Sequence, residues 1–72
     1  MSFFTIKYIL VNDYPNYGPY RLYKKVIELI QDQQTADNFM LSNHGGFTKS
    51  ELNKIKRDIR YRKYRYQKNL LS

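Results

Sequence analysis

The chain has 72 residues, 42% of them hydrophobic, with no cysteine, one histidine and a formal charge of +7. A domain this small buries only about 60% of its unfolded surface, so a single unit over residues 1–72 is expected, with a thin core. The absence of cysteine excludes disulfides and thiolate metal sites, and a lone His44 excludes a histidine cluster. With so few nucleophiles and acid–base groups, no enzyme, cofactor, metal site or small-molecule substrate is expected.

The charge is unevenly spread. Residues 1–48 hold four bases and four acids, whereas residues 49–72 hold nine bases and two acids. The whole excess lies in the last third, which implies a polyanionic partner. Phe, Tyr, Met, Ile, Asn and Lys make up 34 residues, against 11 for Gly, Ala, Arg and Pro. This is the skew of AT-rich coding, and the expected source is a low-GC bacterium or one of its phages. Phe3 to Val11 is apolar but only nine residues long and interrupted by Lys7. It is far short of the roughly 20 residues of a membrane span and has no basic leader. An intracellular, cytoplasmic protein is expected, in the host cytoplasm if phage-encoded.

In chain order, residues 3–12 (FFTIKYILVN) are rich in β-branched and aromatic residues and read as a strand. Asn12 to Pro19 gathers turn formers and reads as a loop. Pro19 suits the first position of a helix, and Leu22, Val26, Leu29 and Ile30 supply its apolar stripe. That helix is expected to run to about Gln33, with Arg21, Lys24, Lys25, Glu28 and Asp32 on its far side. Residues 38–42 read either as a short strand pairing with the first or as a helical turn capped by Thr35. The strand is favoured, because a lone strand makes no sheet. His44-Gly45-Gly46 is a break. Thr48-Lys-Ser-Glu51 is a capping box, with Phe47 and Leu52 as its hydrophobic staple, and opens a helix over 48–70. The expected fold is small α+β: an N-terminal strand, in a two-stranded sheet if residues 38–42 pair with it, and two helices, the second long and basic beyond a neutral body (1–47).

On that last helix Leu52, Ile55, Ile59, Tyr66 and Leu70 share one stripe at about 100° per residue. Arg62 stands at its edge, where the helix is expected to leave the core. The opposite side gathers Lys54, Arg57, Tyr61, Tyr64, Arg65 and Lys68, and Arg60 adds to the cations. Lys and Arg neutralise phosphates, and tyrosines stack on exposed bases. A helix face made for solubility alone would mix signs, but Asp58 is its one acid from Lys54 to Lys68. Tyr14, Tyr17, Tyr20 and Tyr23 recur every third residue and read as a lid over the core. Tyr14 and Tyr17 are candidate aromatic contacts. His44 reads as a loop residue.

The function expected is therefore non-enzymatic binding of nucleic acid or a nucleoprotein complex. The alternative is a phage-encoded inhibitor or adaptor, of the anti-CRISPR or host transcription or replication modulator type. It would use the same helix to fill an acidic or nucleic-acid-binding groove of a host protein. An uncovered edge on the N-terminal strand suggests a homodimer. A membrane-bound role is not expected, since the apolar stripe lacks tryptophan.

Overall fold

The computed structural model describes the backbone of residues 1–71 and the side chains of residues 1–62. It contains four helices, α1 (Phe3–Asp13), α2 (Pro19–Ile30), α3 (Gln33–Leu41) and α4 (Lys49–Leu71). Among the described residues there is no strand. The α+β expectation is thus overturned, and the protein is all-α.

The first correction concerns residues 3–12. Their composition favours a strand, but β-propensity mostly measures fit to a sheet surface, and no second strand is present to provide one. A helix satisfies its own backbone hydrogen bonds. Ser2 starts it, its side chain accepting the Thr5 N–H at 3.2 Å. Ile6 and Leu10, four residues apart, then face inward and are buried, with Phe3 packed beside them. The sheet-edge argument for a dimer falls with the strand.

The second correction concerns residues 38–42, where the helical alternative holds but with a different cap. Asp32, not Thr35, caps α3: its carboxylate accepts the Thr35 N–H at 3.0 Å and also the Thr35 hydroxyl. This places the end of α2 at Ile30, three residues before the expected Gln33. Gln31 takes a left-handed conformation (φ 62°) and donates its N–H to the Ile27 carbonyl, closing α2 before Asp32 opens the next helix.

The start of α2 at Pro19 and the capping box of α4 match the sequence reading. Glu51 N–H donates to Thr48 Oγ1 at 3.1 Å, and Thr48 N–H donates to Glu51 Oε1 at 3.0 Å. Between α3 and α4, Ser42 Oγ donates to the Phe39 carbonyl at 2.6 Å, and Phe47 N–H donates to the Met40 carbonyl at 2.9 Å. Gly45 lies hard against the end of α3: a Cβ there would sit 2.4 Å from the Phe39 carbonyl oxygen. Gly46 has φ 73°, the left-handed region that glycine enters without cost.

All four helices contribute to one core. Ile6 and Leu10 of α1, Tyr23 and Val26 of α2, Ala36, Phe39 and Met40 of α3, and Leu52 and Ile55 of α4 are buried together. The Phe3 ring meets Phe39 edge-on at 5.3 Å between centroids. At 23 residues, α4 is about 34 Å long, most of the molecule's 44 Å length.

Candidate functional site

A polar buckle ties α2, α3 and α4 and sets the distance between the basic helices. Tyr23, only 2% exposed, donates its hydroxyl to Asp37 Oδ1 at 2.5 Å, and Lys56 Nζ donates to Asp37 Oδ2 at 2.8 Å. Burial, and then the carboxylate beside it, push the Tyr23 hydroxyl far above the ordinary tyrosine range. It therefore stays a proton donor. This contact turns Lys56 towards α3, and a cleft of about 480 Å³ opens beside it, walled by Lys24, Lys56, Arg60 and Gln33 over Tyr23, Ile27 and Ile59.

Lys24 also belongs to the neighbouring surface of α2, with Tyr17, Tyr20, Arg21, Lys25 and Glu28. Here each cation lies near a tyrosine ring. The Arg21 guanidinium lies 5.8 Å from the Tyr17 ring centre, Lys24 Nζ 5.4 Å from Tyr20, and Lys25 Nζ 4.6 Å from Tyr14. From α4, Arg62 reaches across to 4.3 Å from the same Tyr20 ring. Such contacts are worth about 0.5–1 kcal/mol at exposed sites, enough to orient a long side chain without neutralising it. Arg21, Lys24, Lys25, Lys56, Arg60 and Arg62 thus form one continuous cationic face, with two acids inside it. Glu28 bonds Lys25 at 3.1 Å, which raises the affinity of that amine for its proton, and Asp37 bonds Lys56. No described residue forms an ion pair with Arg21, Lys24, Arg60 or Arg62.

The residues singled out from sequence are distributed differently. Arg60 lines the cleft and joins this face. Lys54 lines a separate recess of about 370 Å³ with Pro19, Tyr20, Phe47, Glu51 and Asp58, so it sits near two acids. Arg57 and Tyr61 are exposed on the outer side of α4. Tyr64, Arg65 and Lys68 lie outside the residues whose side chains are described. Tyr14 and Tyr17 are half-buried, their rings packed on each other at 5.0 Å. Arg21, Lys24, Lys25, Lys56 and Arg62 were not singled out as site residues from sequence, although Arg21, Lys24 and Lys25 were placed on one side of α2 and Arg62 at the edge of the α4 stripe. A local signal existed for Lys24, because Tyr20–Lys24 is spaced i, i+4 on one side of α2, whereas Tyr17 meets Arg21 from the loop before that helix. Arg62 over Tyr20 is a tertiary contact with no local trace.

Among the described residues no three His, Cys, Asp or Glu side chains are grouped to hold a metal, and no helix is long and apolar enough to cross a membrane. No protein-family model, curated protein or solved structure matches the chain, so the site is read from its own chemistry.

Proposed function

We propose that this protein binds nucleic acid without catalysis, gripping the phosphate backbone with the cationic face shared by α2 and α4. The observation that carries the reading is one cleft lined by Lys24 of α2 and by Lys56 and Arg60 of α4, joined through Lys24 and Tyr20 to Arg21 and Arg62, with the nearby acids Glu28 and Asp37 already engaged. Cations held this close repel one another unless an anion lies between them. The tyrosines serve chiefly as platforms for the cations, with an arginine or lysine over each of Tyr14, Tyr17 and Tyr20. Guanidinium groups fixed in this way offer phosphate a bidentate fork. Backbone contacts carry no sequence information, so binding tolerates sequence.

Fluorescence anisotropy with a labelled duplex, a single strand and an RNA hairpin tests the reading. Affinity should fall steeply with salt and vary little between sequences of one strandedness. Failure of all three to bind at low salt refutes it.

A second reading uses the same face on an acidic groove of a host protein, as a phage-encoded inhibitor would. It is favoured by the half-buried Tyr20 set between Lys24 and Arg62, because aromatic and arginine groups of this kind dominate protein–protein contacts. A nuclease-treated pull-down separates the two. Capture that survives nuclease and is lost on charge reversal at Arg21 and Arg62 supports the second.

A further inference from the structure

The feature of the molecule least accounted for is the outer side of α1. Met1, Phe4, Tyr8 and Val11 are 72%, 70%, 63% and 60% exposed. Phe4, Tyr8 and Val11 follow the i, i+4, i+7 spacing that lines one side of a helix, with Met1 before the first turn beside them. The exposed apolar area of the four is about 500 Å², at the upper end of what a monomer leaves in water. The opposite side of α1 is already used, through Ile6, Leu10 and Phe3, in the core.

We infer that this stripe pairs with the same stripe of a second copy of the chain, as an antiparallel helix pair about a two-fold axis. Three observations select that occupant. Charge is the first: residues 1–13 hold one lysine and one aspartate in a chain of charge +7, so this helix is a neutral place where two such molecules can meet. The second is lipid's poor fit, because interfacial helices carry several Lys or Arg on their polar side and α1 has only Lys7. Area is the third. Two copies together bury about 1,000 Å² of apolar surface, the lower bound for a specific interface. The stripe is also self-complementary, as an isologous contact requires: with the axis near Tyr8, Phe4 lies level with the partner's Val11, and Lys7 with the partner's Tyr8.

Sedimentation equilibrium in about 0.5 M salt, which shortens the reach of charge repulsion, tests this without any nucleic acid, so its outcome is independent of the proposed function. Between about 5 μM and 1 mM protein the average mass should rise from 8.8 kDa towards twice that value, as a small interface of this class allows. Tyr8→Lys and Phe4→Lys should weaken association at least about tenfold with unchanged circular dichroism, since both side chains point away from the core. Leu41→Ser, which alters an exposed apolar residue outside the stripe, should leave association unchanged. A monomer mass throughout, or equal association by the Tyr8→Lys variant, overturns the inference. So does a monomer that pellets with phosphatidylglycerol vesicles and loses this on Tyr8→Lys, which would assign the stripe to lipid.

Discussion

Replacing Tyr23 by Phe isolates the hydroxyl of the buckle. The ring fills the same volume and stays in the core with Val26 and Phe39, so apolar burial is unchanged. What is lost is one hydrogen bond to a carboxylate that keeps its second partner, Lys56, at 2.8 Å. Hydrogen bonds to charged groups contribute about 1.5–3 kcal/mol. The Asp37 side chain is 21% exposed, and water recovers part of that, so the expected loss is about 1–2 kcal/mol. A chain of 72 residues has a total stability of about 4–10 kcal/mol, and its Tm falls by about 4–8 °C per kcal/mol. The variant should therefore melt about 5–15 °C lower, measured by circular dichroism with guanidinium unfolding alongside. A double-mutant cycle with Asp37→Asn should return a coupling of about 1 kcal/mol. A Tyr23→Phe loss below about 0.3 kcal/mol, or a coupling indistinguishable from zero, would mean that the buckle is not what holds α2, α3 and α4 in register.

Other outcomes follow from the helix ends and the loops. Gly45→Ala should cost about 2–3 kcal/mol in denaturant unfolding, because its Cβ would strike backbone atoms of Phe39 and Met40; Gly46→Ala, in open space but at φ 73°, should cost about 1 kcal/mol. Gln31→Gly should raise the free energy of unfolding by about 0.5–1 kcal/mol, by relieving a left-handed non-glycine residue. The cap carboxylates set the acid limb. Thr35 holds the Asp32 carboxyl, and Thr48 the Glu51 carboxyl, below their ordinary ranges. Their contribution is complete above the unfolded carboxylate range near pH 4 and lost as pH falls through the depressed folded values. Guanidinium midpoints should thus decline below about pH 4, and less steeply in an Asp32→Asn, Glu51→Gln variant.

Much of the helical plan was legible wherever a terminus carried its own chemistry. Pro19 names a helix start because it has no N–H to leave unsatisfied there, and the Thr48–Glu51 box names one because the residues that satisfy its first N–H groups are local. α1 was not legible in the same way. A run of Phe, Ile, Tyr and Val suits a strand if a neighbour offers an edge, and the decision lay with a partner strand that is absent among the described residues. The end of α2 was hidden for another reason, since Gln31 is not the residue type that usually marks a left-handed stop. The site was half visible. The block of bases on α4 was plain, and Arg21, Lys24 and Lys25 were legible on one side of α2, but summing residues 1–48 to zero gave that side no part in the site. Of the acids that balance them, Asp13 and Asp32 lie outside that surface and Asp37 is taken up beneath it. Net charge per segment does not record which side of a helix the charge is on.

The most direct test of a single cationic face built from two helices is the salt dependence of duplex binding, measured between about 50 and 200 mM salt. Four cations with no ion pair among the described residues, Arg21, Lys24, Arg60 and Arg62, give an expected slope of log K against log salt of about −3.6, steeper if Arg57 also contacts phosphate. Changing Arg21 and Lys24 to Gln should make the slope shallower by about 1.8, and changing Arg60 and Arg62 to Gln should do the same. A slope that responds to the α4 pair but ignores the α2 pair would contradict the shared face, and no measurable binding at low salt would contradict the function drawn from it.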